Sequence, residues 1–211
     1  CFHGPPGTGK TAFAHYLAGE LEKPLLVRRA SDLLSKWLGG TEANIAAAFQ
    51  QAADEEAVLL IDEVDGFLRD RGKAERSWQV TQVNEFLTQM EAFGGVFIAS
   101  TNLMAELDAA SLRRFDHKLY FDYLRRPQRR RLFEQLCRDL ATDSGDHAAW
   151  QQALAKVEAL HLLTPGDFAT VRRQLRGIRR PVSCEELAQR LNGETAIKPE
   201  GRQRAIGFRI H

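Results

Sequence analysis

A glycine-rich loop near the start of the chain limits the possible folds more than any other feature. Residues 4–11 read Gly-Pro-Pro-Gly-Thr-Gly-Lys-Thr and match the pattern G-x-x-x-x-G-K-[ST]. The loop lies between the short apolar stretch Cys1-Phe2 and a helix-like stretch, Lys10–Glu22, that ends before Pro24. Such glycines let successive N–H groups and the following helix N-terminus surround a phosphate. The pattern therefore predicts a nucleoside-triphosphate site on a strand, a loop and a helix.

The residue types in this loop predict particular roles. Lys10 is expected to reach the β- and γ-phosphate oxygens, and the Thr11 hydroxyl is expected to bind Mg²⁺. Asp62, at the end of the apolar run Ala57–Ile61, is expected to help hold the same ion, usually through water. The residues expected to bind nucleotide are Pro6, Gly7, Thr8, Gly9, Lys10, Thr11 and Asp62.

A second acid directly follows Asp62. Glu63 would lie at the carboxyl edge of the sheet, beside the phosphates, where a carboxylate can orient and polarise an attacking water. Nucleotide binding alone does not require such a group. The pair Asp62-Glu63 therefore favours hydrolysis over binding only.

The order of apolar periods predicts an α/β fold. Strands are expected at 25–27, 58–61, 96–99 and 117–121, with helices at 42–53 and 79–92, the first of these capped by Thr41. Strands that alternate with helices imply a parallel sheet flanked by helices. After residue 121 only helix-like stretches follow, at 127–140, 146–160, 165–176 and 183–191. We expect a nucleotide-binding α/β domain at 1–124, a small all-helical lid at 125–191 and a tail at 192–211.

Composition and cysteine usage further limit the class of protein to which the chain can belong. The chain has 211 residues, of which 44% are hydrophobic, enough to bury a sizeable core. No apolar run exceeds five residues, so no membrane span is expected. Three widely spaced cysteines favour reduced thiols and a cytoplasmic protein. Because only Cys1-Phe2-His3 precede the phosphate loop, we expect the chain to be part of a longer polypeptide.

Charge is distributed unevenly. Residues 1–124 carry 12 basic and 18 acidic side chains, whereas residues 125–211 carry 17 and 10. The arginine clusters of the second half are one possible nucleic-acid surface. Because they lie within helix-like patterns, solvent-exposed helix faces are the preferred interpretation, and we do not expect nucleic acid as a partner.

Four ordered segments resemble the signature of AAA ATPases. They are the phosphate loop, residues 60–65 (Leu-Ile-Asp-Glu-Val-Asp), residues 98–102 (Ile-Ala-Ser-Thr-Asn) and residues 107–116 (Leu-Asp-Ala-Ala-Ser-Leu-Arg-Arg-Phe-Asp). The resemblance extends over most of 4–168 and implies ATP as the nucleotide. It also implies that Asn102 senses the γ-phosphate or the nucleophilic water, and that Arg113 and Arg114 enter the nucleotide site of a neighbouring subunit. The resemblance further implies a homo-oligomeric ring, which we expect to be a hexamer.

Residues 35–42 resemble the aromatic pore loop of AAA protein-remodelling motors. The resemblance implies that Lys36, Trp37 and Leu38 contact an extended protein substrate. A buried anchor for the next helix and a subunit contact are alternatives for Trp37. A second loop, residues 69–76, could also line the channel, although exposed charge is its ordinary interpretation.

One segment departs from the family pattern. Residues 164–168 read Thr-Pro-Gly-Asp-Phe where the family has Gly-Ala-Asp, and Arg172 and Arg173 come later, so no lid arginine is assigned to the γ-phosphate. The sequence thus predicts an ATP-hydrolysing ring that remodels, unfolds or threads proteins. An ATP-controlled switch or scaffold without threading is the first alternative, and a nucleic-acid remodelling ATPase is the second.

Overall fold

A computed structural model describes residues 1–35, 37, 39–66, 68, 77–140, 147–176 and 181–199. Chain contacts divide it into two units. One contains Cys1–Pro5 and Lys10–Phe121, and the other contains Pro6–Gly9 and Asp122–His211. The domain boundaries expected at residues 124 and 191 stay predictions.

The first unit contains a five-stranded parallel sheet. Its strands are β1 (Phe2–His3), β2 (Leu25–Arg29), β3 (Val58–Asp62), β4 (Phe97–Thr101) and β5 (Leu119–Tyr120). They lie in the order β2-β3-β4-β1-β5, and every pair is parallel. The helices of this unit are α1 (Lys10–Glu20), α2 (Ala30–Leu33), α3 (Gly40–Asp54), α4 (Ser77–Ala92) and α5 (Ala109–Leu112). The predicted parallel α/β sheet flanked by helices is confirmed.

Side chains of β3 alternate between two hydrophobic clusters, as the two faces of a strand require. Leu59 and Ile61 pack into a cluster with residues of α3 and α4, whereas Val58 and Leu60 pack into another with residues of α1. Both faces of the strand are therefore buried, which explains why β3 reads as one continuous apolar run. Asp62, the last residue of β3, is the first polar residue after this buried run.

The start of α3 differs from the sequence prediction. The sequence predicts Thr41 as the cap of this helix, but the capping residue is Gly39, whose φ is 77°, and the helix begins at Gly40. Thr41 is buried, and its Oγ1 accepts a hydrogen bond from the Ser35 amide at 2.9 Å. The Thr41 hydroxyl therefore stabilises the preceding loop instead of the helix end, and that prediction is wrong.

In the second unit, helices build a separate core. They are α6 (Arg126–Leu140), α7 (His147–Glu158), α8 (Pro165–Gln174) and α9 (Cys184–Ala196). Apolar side chains from all four helices form one cluster, including Phe133, Val157, Val171 and Leu187. The sequence predicts that the last helix ends at Leu191, but α9 continues through Gly193 to Ala196, so that prediction is wrong. A single glycine lowers helix propensity by about 1 kcal/mol, and the burial of Thr195 shows that this last turn packs against its surroundings.

Cys1, Cys137 and Cys184 all lie in the described part of the chain, are buried and form no disulfide. Within that same part, none of the helices has the length and apolar character needed to cross a membrane.

Candidate nucleotide site

The phosphate loop takes backbone conformations that suit glycine. Gly4 has a φ of 136°, and a Cβ at this position would collide with the Phe121 carbonyl. Gly7 has a φ of 76°, in the left-handed region that side chains disfavour. These glycines explain how the chain leaves β1 and turns into α1 within a few residues.

Lys10, the first residue of α1, lies at the ends of two strands. Its side chain is buried, and Nζ donates hydrogen bonds to the Gly4 carbonyl at 2.8 Å and the Pro5 carbonyl at 3.0 Å. Nζ also donates to Asn102 Oδ1 at 2.7 Å. Burial lowers the pKa of the Lys10 ammonium, and the Asp62 carboxylate opposes that shift. The ammonium is therefore held in one position by the loop and by the residue that follows β4.

Asp62, the last residue of β3, accepts hydrogen bonds at both carboxylate oxygens. The Thr11 hydroxyl donates to Oδ2 at 3.2 Å, and the Glu63 amide donates to Oδ1 at 3.0 Å. The Ser100 hydroxyl also donates to Oδ1. This arrangement brings the first turn of α1 together with β3 and β4, because parallel strands end at the same edge of the sheet.

Glu63 has an unusual backbone conformation for a residue with a side chain. Its φ is 60°, and its side chain is exposed. A residue with a side chain that is held at such a positive φ destabilises the fold by about 1–3 kcal/mol, and such residues cluster at functional sites. The conformation therefore supports the hypothesis that Glu63 has a functional role. The turn directs the chain away from β3 immediately after Asp62.

Asn102 directly follows β4, and its side-chain oxygen accepts the hydrogen bond from Lys10. The preceding residue, Thr101, is buried, and its hydroxyl donates to Asp65 Oδ1 at 2.9 Å while accepting from the Leu103 amide at 3.0 Å. These bonds fix the turn after β4 relative to the turn after β3.

Two contacts were not predicted from the sequence. Ser100 and Thr101 belong to the segment that resembles the family signature, but within that segment the resemblance implies a role for Asn102 only. The signal was present as two hydroxyl residues at the end of a strand next to β3. Strand order, which the sequence does not give, was needed to pair them with Asp62 and Asp65.

The segment Thr164-Pro165-Gly166-Asp167 contacts the phosphate loop within the second unit. The Gly166 amide donates to the Gly7 carbonyl at 2.9 Å. This contact falls at the place where the sequence departs from Gly-Ala-Asp. It could not be predicted, because Gly7 and Gly166 are far apart in the chain.

Arg113 and Arg114 directly follow α5, and both are exposed. Arg114 Nε lies 3.2 Å from Glu91 Oε1, which makes an ion pair at the surface of the first unit. No such ion pair is found for Arg113 in the described part of the chain. Within the described residues, an ion pair restrains Arg114, whereas none restrains Arg113.

Trp37 is 83% exposed, the largest exposure among the described large apolar side chains. Its amide donates to Ser35 Oγ at 3.2 Å, and its carbonyl accepts from the Gly40 amide at 3.1 Å. The exposure argues against the alternative in which Trp37 is a buried anchor. Lys36, Leu38 and the second loop, 69–76, lie outside the described residues.

Comparison with known proteins agrees with this geometry. Residues 1–123 match the model of the family described as "ATPase family associated with various cellular activities (AAA)". The structure is similar to a crystal structure of the FIGL-1 AAA domain in complex with ADP, with a TM-score of 0.70. That similarity covers 97% of this chain and 75% of the other, at 23% identity, and concerns the fold alone.

Curated relatives extend the match. An uncharacterized AAA family ATPase, y4kL, from Sinorhizobium fredii is 40% identical over 125 residues, which are 57% of this chain and 38% of that protein. Fidgetin-like protein 1 of Drosophila melanogaster is 35% identical over 63% of this chain and 27% of its own length. Fidgetin-like protein 1 of Caenorhabditis briggsae is 31% identical over 82% and 29%. The chain thus spans about a third of these relatives' length.

The parallel sheet, the glycine loop and the acids at the strand ends define a nucleotide-binding fold of the phosphate-loop class. The match over residues 1–123 then makes the assignment specific: the chain belongs to the AAA family of ATPases.

Proposed function

We propose that the protein hydrolyses ATP and uses the energy to remodel, unfold or thread protein substrates, as a ring oligomer and specifically a hexamer, in the cytoplasm. The observation that carries this proposal is the meeting of Lys10, Thr11, Asp62 and Asn102 at one edge of the sheet. Family membership supports the ATPase activity, and the resemblance of residues 35–42 to a pore loop supports a protein substrate.

In this proposal the chain binds the triphosphate with the loop 6–9, Lys10 and Thr11. The ammonium of Lys10 neutralises phosphate charge, and its present partners are two carbonyls and one amide oxygen, which are neutral acceptors. A phosphate oxygen carries a full negative charge and is the stronger acceptor for that ammonium. The site therefore has a cation that favours an anionic ligand.

The donor set at Asp62 fits Mg²⁺. A hydroxyl and a carboxylate lie together, at 3.2 Å, and both are hard oxygen ligands of the kind that Mg²⁺ takes alongside substrate phosphates. Thr11 and Asp62 would hold the ion, Asp62 usually through water. When bound, Mg²⁺ supplies charge neutralisation on the phosphate oxygens.

Glu63 is proposed to accept a proton from the attacking water and to orient it. Glu63 directly follows Asp62, so in this proposal its exposed carboxylate lies beside the phosphates. The bond between these two residues is made by the Glu63 amide, and the described bonds of Asp62 do not involve the Glu63 carboxylate. Asn102 is proposed to hold the γ-phosphate or the water from the end of β4. Arg113 and Arg114 of one subunit are proposed to act at the site of the next, where a guanidinium can neutralise developing charge.

Ser100→Ala tests the support of the proposed Mg²⁺ ligand. The substitution removes a buried hydroxyl that donates to Asp62 Oδ1, so the carboxylate loses a group that orients it. Changes to such supporting groups cost about 10- to 100-fold in metal affinity, and we expect the Mg²⁺ concentration for half-maximal ATPase activity to rise about tenfold. Thr88→Ala, which removes an exposed helix hydroxyl bonded to the Asn84 carbonyl, is the control. An unchanged Mg²⁺ dependence would remove Ser100 from this role.

Trp37→Ala tests the threading part of the proposal. An exposed indole offers a large apolar surface that can contact an extended substrate chain with little preference for the substrate's sequence. We expect ATPase activity within about twofold of the wild type and unfolding of a substrate at least about tenfold slower, since the substitution removes the exposed aromatic surface of this loop. The measurement is ATP-dependent fluorescence loss from a reporter protein that carries an unstructured terminal extension.

Tyr16→Ala is the matched control for Trp37→Ala. Tyr16 is also an exposed aromatic residue, at 60%, but it lies on α1. It should leave both ATPase activity and unfolding unchanged. Full unfolding activity in Trp37→Ala would contradict threading and would favour the ATP-controlled switch or scaffold.

The nucleic-acid alternative is not favoured. Several arginines of the second half are paired with acids: Arg126 with Glu158, Arg130 with Glu134, Arg172 with Asp139 and Arg190 with Glu186. Arg129 is buried. These side chains present less unpaired positive charge than the sequence suggests, and phosphate backbones are bound mainly by such charge.

A further inference from the structure

A cation that follows α9 contacts the turn at the start of α8. Lys198 Nζ donates to Asp167 Oδ2 at 2.6 Å and to the Leu162 carbonyl at 2.6 Å. The side chains of Lys198 and Asp167 are only 17% and 10% exposed, so this ion pair is the least exposed of those described. The ammonium also lies 5.4 Å from the centre of the Tyr123 ring. Residue 198 falls within the segment that the sequence predicts to be a tail.

The same carboxylate oxygen of Asp167 organises the turn. Oδ2 accepts hydrogen bonds from the Thr164 amide at 2.7 Å and from the Thr164 hydroxyl at 3.0 Å. The bond from the Thr164 amide is one half of the capping box of α8, whose other half is the bond from the Asp167 amide to the Thr164 side chain, and the box ties the first turn of the helix to the residue before it. Lys198 thus neutralises the one carboxylate that sets the conformation of residues 164–167.

This turn lies directly on the phosphate loop. The Gly166 amide donates to the Gly7 carbonyl at 2.9 Å. A Cβ on Gly166 would lie 2.9 Å from Gly7 Cα, and a Cβ on Gly7 would lie 3.0 Å from Thr164 Oγ1. The two backbones therefore approach as closely as glycines permit, and a shift of the turn must move Gly7 or break its hydrogen bond.

We propose that Lys198 is a positioning residue for nucleotide binding, which acts through Asp167 and the 164–167 turn on Gly7 of the phosphate loop. The inference rests on the proposed nucleotide site but assigns a new determinant of its affinity, outside the residues that touch nucleotide. Without the ammonium, Asp167 would be a largely buried carboxylate with no cation, and the turn would have to rearrange toward water. The loop conformation that binds nucleotide would then be populated for a smaller fraction of the time.

Lys198→Met tests this inference, because it keeps the length of the stem and removes the charge. Apparent affinity falls in proportion to the binding-competent fraction, and a fall of that fraction to about a tenth raises Kd about tenfold. We expect the Kd for fluorescently labelled ADP and the KM for ATP to rise by about that factor, with kcat within about twofold. Lys198→Arg keeps the charge and should restore a Kd within about threefold of the wild type.

Lys156→Met is the matched control. Lys156 also makes a 2.6 Å ion pair in the second unit, with Glu185, but that pair joins α7 to α9 without a described contact to the phosphate loop. Each Lys→Met variant is also compared with the wild type by thermal unfolding without nucleotide. We expect Lys156→Met to leave ADP affinity unchanged, whatever its effect on Tm.

The outcomes separate the inference from the proposed function. A wild-type protein that does not bind labelled ADP contradicts the proposed function itself. Normal wild-type binding with an unchanged Kd in Lys198→Met overturns the inference alone, even if Tm falls, because the pair is then purely structural. Equal loss of affinity in Lys156→Met would overturn it too. If Lys198→Met does not fold, Lys198→Gln, which retains a donor for the Leu162 carbonyl without the charge, replaces it under the same criteria.

Discussion

Glu63→Gln is expected to lower ATP turnover about a thousand-fold while ATP still binds. The amide that replaces the carboxylate has nearly the same shape but cannot accept the proton of the attacking water, and such general-base contributions are typically about 10²- to 10⁴-fold. The backbone at Glu63, with a φ of 60°, should remain unchanged because glutamine has the same stem. Lys10, Thr11 and Asp62 stay intact, so the proposed contacts to the phosphates are kept.

The measurement is steady-state phosphate release together with the Kd for ATP. Glu56→Gln is the matched control, since Glu56 is likewise an exposed glutamate with a positive φ, 50°, but it precedes β3, at the opposite end of the strand from Glu63. It should turn over at the wild-type rate. Turnover within about threefold of wild type in Glu63→Gln would exclude Glu63 as the general base, since loss of such a group costs at least about a hundred-fold.

The fold was largely predictable because its signals are local. The apolar run of β3 is buried on both faces, and Gly4 and Gly7 of the phosphate loop have positive φ angles that side chains disfavour and glycine tolerates. Local signals failed where a tertiary contact decided the outcome. Thr41 has the chemistry of a helix cap, but its hydroxyl accepts a hydrogen bond from the Ser35 amide instead, and α9 continues through Gly193 to a turn in which Thr195 is buried.

The candidate site likewise has residues that the sequence predicts and contacts that it does not. Lys10, Thr11 and Asp62 were predicted from spacing, and the structure brings them together. Their proposed roles toward nucleotide stay predictions. Ser100 could not be paired with Asp62 until β4 was known to lie beside β3, and Lys198 could not be paired with Asp167 until α9 and its end were placed. Neither contact has a fixed spacing in the sequence that a pattern could detect.

Arg113→Ala is expected to lower turnover about a thousand-fold, because arginines supplied to a transferring phosphoryl group are worth about 10³- to 10⁵-fold. Arg114→Ala should cost less, since Arg114 is already paired with Glu91 at 3.2 Å, whereas no ion pair of Arg113 is found among the residues that the structure describes. Arg125→Ala, which removes an exposed arginine from the second unit, should have no effect. Steady-state phosphate release measures all three variants, and equal activity of Arg113→Ala and wild type would contradict the proposed role.

Mixing two inactive variants tests whether that arginine acts between subunits. In an equal mixture of Arg113→Ala and Glu63→Gln, some interfaces join an intact Glu63 from one subunit to an intact Arg113 from its neighbour. In a ring with head-to-tail contacts and random assembly, about a quarter of the sites are of this kind, so we expect about a quarter of wild-type turnover. The control mixes Arg113→Ala with the double variant Glu63→Gln/Arg113→Ala, which offers no intact pair and should stay inactive. If Arg113 instead acted on the site of its own chain, neither mixture would recover activity, because each subunit would still lack one of the two groups.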